Sequence, residues 1–368
     1  MKIGLPRETK DNENRVAMTP RGVAQLCASG SSVVVQEGAG VGSGFADAEY
    51  AAAGARIGDV EEAWDVDLVV KVKEPLESEY PFLAGQSVFT YFHLAGCPPH
   101  LTRTLLESGT TAIAYETLED AAGRLPLLAP MSAIAGNMAS LVGAYYLARA
   151  HGGKGVQLGQ VLGIRHGRVL IIGDGVVGFH AARTAYGLGA HVTVAGLDAD
   201  KAARMRAEIG PDLGFFLSEP RAIAEELRRA DLLVGAVLQH GARADYVVSR
   251  DMVAGMEPGS VLVDVSIDQG GCIETSRPTR HSDPVYVSEG VIHYCVTNMP
   301  GAYPRTSTLA LTEATFPYLA KLAERGLDAL RGDPGFSKAL NVHRGHITCR
   351  PVAEALGMLE KYQDWNPL

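Results

Sequence analysis

Three glycines spaced as Gly173-Asp-Gly175-Val-Val-Gly178 close a β-branched and aliphatic run, Arg168-Val-Leu-Ile-Ile, and open an alanine-rich stretch. Gly173 can make the tight turn off a strand, Gly175 lets a pyrophosphate approach the backbone, and Gly178 lets helix and strand pack closely. The helix start offers amides and a positive dipole end to phosphates. The chain then returns through Gly187-Leu-Gly189 to a second strand-like run, His191-Val-Thr-Val-Ala. That βαβ context turns a weak spacing into a strong one, and the chemistry it implies is dinucleotide binding.

Two residues in this unit depart from the usual pattern. The acid that hydrogen-bonds an adenosine ribose stands at the tip of the second strand, a position held here by Gly196 with Asp198 two residues later. Asp174 puts a carboxylate inside the phosphate loop, where it repels a pyrophosphate unless it points to solvent or to a cation. Lys201, Arg204 and Arg206 follow closely. The cofactor reading is therefore NAD, with NADP open.

A second set of residues could do acid–base and anion chemistry. Arg15 follows the first strand; Lys71 and Lys73 end the apolar run Asp67-Leu-Val-Val-Lys-Val-Lys; His93 follows Ser87-Val-Phe-Thr-Tyr-Phe; Asp268 sits in Ile-Asp-Gln-Gly-Gly after Val261–Ile267. They stand where strands end or where a charged side chain is awkward, Arg15 beyond a polar loop, and in open α/β sheets ligands bind outside the carboxyl ends of strands. Singly, Arg15 reads as a surface guanidinium, the lysines as snorkelling, His93 as a satisfied ring and Asp268 as a turn cap. Spacing alone does not join them.

The elements that must position these groups alternate. Lys2–Leu5, Ser32–Gln36, Asp67–Lys73 and Ser87–Phe92 read as strands, with a capped helix opening at Thr19-Pro20, so a first α/β layer precedes the glycine motif. Met131–Ala150 is small and apolar all round, which reads as a buried helix leading into a second layer. Asp231–Val237, Ser260–Val265 and Val291–Val296 supply later strands of a doubly wound parallel sheet, and the chain after Thr306 reads as helical to its end. We expect an α/β protein of two domains. Residues 1–127 with 304–368 form a substrate and catalytic domain built from both chain ends, and 128–303 form a Rossmann dinucleotide-binding domain.

Composition narrows the class. At 368 residues the chain suggests about two domains. A hydrophobic fraction of 46% suffices for packed cores, and the net charge of −9, with basic residues scattered, points to neither nucleic acid nor a membrane surface. Five cysteines with no CxxC pair, behind a start lacking a signal-type apolar core, fit a reducing, cytoplasmic compartment without disulfides or a metal site.

Further blocks carry a resemblance: Gly4-Leu-Pro-Arg-Glu-Thr-Lys, Glu13-Asn-Arg15-Val-Ala-Met-Thr-Pro, Lys71-Val-Lys-Glu-Pro, Phe92-His93-Leu-Ala, Ala114-Tyr-Glu-Thr, Leu128-Ala-Pro-Met-Ser, Gly152-Gly-Lys-Gly-Val, Val263-Asp-Val-Ser-Ile-Asp268-Gln-Gly-Gly-Cys and Asn298-Met-Pro-Gly with Pro304-Arg-Thr-Ser-Thr. In this order they resemble the alanine dehydrogenase family, which also includes the nucleotide-binding subunit of proton-translocating transhydrogenase. The resemblance implies that Arg15 and Lys73 grip a small 2-oxo acid, that His93 is the general acid/base, and that Asp268 orients water or ammonia. It implies that Ser132, Val176, Val177, Asp198, Val237, Leu238, Ile267, Asn298 and Met299 line the cofactor beside the three glycines. The implied partners are a small 2-oxo or amino acid and ammonium, with a hexameric assembly. Departures fall at Ala133, Asn137, Gln239-His240-Gly241 and Glu313. They keep open a relative acting on another amino or imino acid with NADP. A transhydrogenase subunit would lack both His93 and the Asp268 loop.

Overall fold

Short β-branched runs alternate with amphipathic helices from the first residue. The computed structural model describes residues 1–237 and 246–365. It divides into two units, Met1–Met131 with Gly301–Leu368, and Ser132–Pro300.

In the first unit the strands are β1 (Lys2–Leu5), β2 (Ser32–Gln36), β3 (Arg56–Gly58), β4 (Leu68–Val70), β5 (Ser87–Thr90) and β6 (Thr111–Ala114). They pair in parallel in the order β3-β2-β1-β4-β5-β6. The order reverses between β1 and β4, so the loops after those strands diverge and leave a crevice at their carboxyl ends. The first crossover helix, Pro20–Ala28, starts where expected: Thr19 accepts a hydrogen bond from the Gly22 amide at 3.3 Å and Pro20 takes the position that needs no donor.

Two strands are shorter than the apolar runs suggest, and carboxylates are the reason. Glu8 accepts the Val72 and Lys73 amides at 2.6 and 3.3 Å, ending β4 at Val70. Glu116 accepts the Phe92 and His93 amides at 3.2 and 2.6 Å beyond the end of β5.

The second unit contains a small hairpin, β7 (Gly159–Val161) with β8 (Ile164–His166), and the strands β9 (Arg168–Ile172), β10 (His191–Gly196), β11 (Gly214–Leu217), β12 (Leu232–Gly235), β13 (Val261–Asp264), β14 (Val285–Ser288) and β15 (Val291–Tyr294). The large sheet runs β11-β10-β9-β12-β13-β15-β14, with only β14 antiparallel. Its reversal falls between β9 and β12. The helix read as Met131–Ala150 spans Ala129–Tyr146 and is not buried all round: Leu141 and Tyr145 are exposed.

The end of the chain is not wholly helical. After the Pro304–Arg325 helix the chain forms β16 (Leu340–His343) and β17 (His346–Ile347), and β16 adds antiparallel to β6. Such a four-residue strand lacks the length to betray itself by alternation. Among the described residues no helix is long and apolar enough to cross a membrane, and all five cysteines are free thiols.

Candidate active site

The glycine turn follows β9. Gly173 adopts φ +115°, and a side-chain carbon there would meet the Ala236 carbonyl oxygen at 2.2 Å; one on Gly178 would meet the Gly173 oxygen at 1.9 Å. Both positions require glycine, because the turn is wedged between β12 and the helix it opens. That helix, Val176–Leu188, begins at Gly175 with no side-chain cap, and the space where a Gly175 side chain would stand is open. Exposed amides on a bare backbone suit a pyrophosphate, so the residues present fit a dinucleotide. Val176 is exposed on the first turn and Val177 half-buried behind it.

Neighbouring segments brace this turn. Gly136 on the Ala129–Tyr146 helix leaves room for the Val177 carbonyl, Ser140 donates to Ala181 O at 2.8 Å, and Thr184 donates to Asn137 at 2.8 Å. Ser132 lies one turn before Gly136 on the same helix, on the same face. Val237, after β12, donates its amide to Ser266 Oγ at 3.0 Å, and that hydroxyl donates back to Val237 O at 2.7 Å. Leu238 lies outside the described residues. Asp198 caps the Ala199–Ile209 helix by accepting the Asp200 amide at 2.9 Å.

Asp268 belongs to the short Val265–Gln269 turn after β13, and its two carboxylate oxygens face the Asn298 amide at 3.3 and 3.4 Å. Asn298 sits in the left-handed region at φ +59°, just past β15. Ile267 and Met299 are buried, and Ile267 packs in the hydrophobic core of this unit. Buried Asp264 shapes the loop: it accepts the Ser266 and Cys272 amides at 3.0 and 3.1 Å, and burial pushes its carboxyl up from its ordinary value.

In the first unit Lys73 and His93 follow β4 and β5, two adjacent parallel strands, while Arg15 lies in the long loop after β1, the neighbour of β4 on its other side, and its charge acts on Tyr91. Arg15 is no surface guanidinium: it is 2% exposed. Glu13 grips it from Nε at 2.7 Å and from Nη2, while Nη1 points to the Met131 sulfur at 3.0 Å. Burial lowers the guanidinium's pKa, but Glu13, with Tyr91 and Glu8, together outweigh it and hold the group above its ordinary pKa. Tyr91 connects Arg15 with His93, its ring stacked on His93 at 5.8 Å and its hydroxyl donated to the Leu127 carbonyl.

Lys71 is an internal ion rather than a snorkelling lysine. It is fully buried between Glu79 at 2.8 Å and Glu8 at 3.3 Å. Burial raises the Glu8 carboxyl to about 7 even though Lys71 pulls it down. Lys73 is held by its backbone, its amide on Glu8 and its carbonyl taking the Thr90 hydroxyl at 3.0 Å. His93 is fixed in the left-handed region at φ +49° by Glu116. The motif after Asn298 also finds its use: Thr308 accepts the Val16 amide at 3.1 Å, and Arg305 donates to the Ser43 and Gly44 carbonyls at 3.1 and 2.8 Å. Glu8, Glu13, Glu116 and Asp264 are positioning carboxylates that neither motif spacing nor the resemblance singles out. The available signal was an acid placed beside a strand end or within a residue or two of a buried cation.

Comparison with known proteins identifies the family. The family models "Alanine dehydrogenase/PNT, N-terminal domain" and "Alanine dehydrogenase/PNT, C-terminal domain" match residues 4–135 and 139–350. An alanine dehydrogenase of Halomonas elongata is 51% identical over 97% of both chains. One of Bacillus subtilis is 49% identical over 97% of this chain and 95% of its own. A solved L-alanine dehydrogenase superposes with a TM-score of 0.93 at 44% identity, covering 98% of this chain and 100% of its own. The chain belongs to the alanine dehydrogenase/PNT family.

Proposed function

We propose that this enzyme catalyses the reversible oxidative deamination of L-alanine to pyruvate and ammonium with NAD. The observation that carries the reading is full-length likeness to alanine dehydrogenases, supported by Arg15, Lys73 and His93 falling in the segments that follow three adjacent parallel strands. The nicotinamide, when bound, supplies the hydride acceptor.

The chain's own residues supply the rest. Arg15, its plane fixed by Glu13, offers a guanidinium to a carboxylate, and Lys73 sets a point charge against the carbonyl oxygen that leaves as water in the amination direction. His93 trades the proton as a carbinolamine forms and collapses, since an imidazole works near neutral pH. Asp268 orients the attacking water or ammonia. Alanine, NAD+ and water give pyruvate, ammonium, NADH and a proton. Ser132, Val176, Val177, Asp198, Val237, Leu238, Ile267, Asn298 and Met299 complete the cofactor's surroundings in this reading.

The assembly is read as a cytoplasmic hexamer. The bare hairpin supports association, with Leu162 99% and Ile164 64% exposed. A spectrophotometric panel tests the function: pyruvate or larger 2-oxo acids with ammonium, each with NADH or NADPH. Oxidation of NADH by pyruvate is expected. Turnover of a larger oxo acid alone would move the reading to another amino-acid dehydrogenase.

A further inference from the structure

The two odd residues of the nucleotide unit are neighbours in space. Asp174 reaches out of the glycine turn to the end of β10, where its Oδ2 accepts the Leu197 and Asp198 amides at 3.1 and 3.2 Å and its Oδ1 pairs with Lys201 Nζ at 3.0 Å. Its side chain is only 9% exposed. A side-chain carbon on Gly196 would come within 2.7 Å of that Oδ2 and within 2.5 Å of the Phe215 ring. No side chain can stand at 196 while Asp174 is lodged there. The missing acid at the strand tip and the extra acid in the loop are one exchange, in which a carboxylate is kept and its point of attachment is moved.

We propose that Asp174 determines cofactor choice, its carboxylate reading the adenosine ribose hydroxyls and rejecting a 2′-phosphate. The assignment rests on the dinucleotide reading above. A carboxylate has about four lone-pair sites. Three donors engage Asp174 among the described residues, which leaves room for a ribose hydroxyl. A 2′-phosphate would instead meet this carboxylate and that of Asp198, two like charges. The cations that could have welcomed it are turned elsewhere: Lys201 to Asp174, Arg204 to Glu208 at 2.7 Å, Arg206 to the Leu213 carbonyl at 3.0 Å. Asp174 therefore faces its cation sideways and keeps its charge out of the phosphates' way.

The test is binding rather than turnover. NADH and NADPH are titrated by nicotinamide fluorescence into the full-length wild type, Asp174→Asn and Lys201→Gln, with thermal midpoints recorded to show each is folded. The wild type should bind NADH roughly tenfold or more tighter than NADPH, as loss of a hydrogen bond to a charged group implies. Asp174→Asn should bring the two affinities together. Lys201→Gln removes a half-exposed partner that neutralises the carboxylate, so it should weaken NADPH further and spare NADH. Equal affinities in the wild type, an unchanged ratio in folded Asp174→Asn, or tighter NADPH in Lys201→Gln would overturn the assignment alone. No binding of either dinucleotide by the folded wild type would remove the dinucleotide reading and this assignment together.

Discussion

The two sheets share one strand order at their centres, β3-β2-β1-β4-β5-β6 and β11-β10-β9-β12-β13-β15, and they place opposite materials at the point where that order reverses. Between β9 and β12 the chain presents bare backbone, a glycine turn and uncapped amides. Between β1 and β4 it presents ions: Arg15 on Glu13, and Lys71 between Glu8 and Glu79. In the function proposed above, the difference follows from what each has to hold. A pyrophosphate spreads its charge over several oxygens and is met by many weak dipoles, so side chains are removed to let it near. A small acid offers one carboxylate and one carbonyl, so few strong charges must be set in place, and each charge taken from water needs a partner. The topology supplies a crevice; the side chains decide its chemistry.

That contrast can be broken from either side. His93→Asn should lower kcat by about 10² to 10⁴-fold, the range for loss of a general acid/base, while NADH affinity stays near the wild type. Stopped-flow turnover beside fluorescence titration measures both, and a parallel loss of NADH binding would erase the division of labour. Gly178→Ala attacks the other sheet: its new carbon would overlap the Gly173 oxygen, so the turn must shift. Loss of an amide hydrogen bond to a charged phosphate should weaken NADH affinity by about 10- to 100-fold. Retained affinity in that variant would mean the turn is not the binding element.

The smallest effect sharpens the ionic side. Burial raises the Glu8 carboxyl to about 7, above its ordinary value of 4.5, so the folded state favours the protonated form. Its contribution to stability is fully present below pH 4.5 and is lost as pH rises towards 7. The stability difference between wild type and Glu8→Gln should therefore drift in favour of the variant across that window, by about 1–3 kcal/mol. Thermal midpoints read at matched pH values check it. A difference that is flat with pH would mean that Glu8 stays ionised beside Lys71.

What could be read from the chain itself divides along the same line. The glycine turn, its helix and its return strand are contiguous, so local pattern was enough for the turn, whereas Arg15, His93 and Asp268 were singled out together only through the family resemblance. The carboxylates that position them were hidden by distance: Glu8 binds amides at 72 and 73, and Glu116 those at 92 and 93. Asp174 and Gly196 looked like two unrelated departures because only the parallel pairing of β9 with β10 brings them together. β16 is hard to read from the chain because its alternation, Leu340-Asn-Val-His343, lasts only four residues and follows a long helical pattern.

In the proposed reaction a hydride passes directly from a small amino acid held by the ionic edge to the nicotinamide. Incubating the enzyme with NAD and L-alanine deuterated at Cα tests it. The label should appear at C4 of the reduced nicotinamide, with pyruvate, ammonium and NADH formed in equal amounts. Label lost to water, or nicotinamide left oxidised while alanine is consumed, would contradict it.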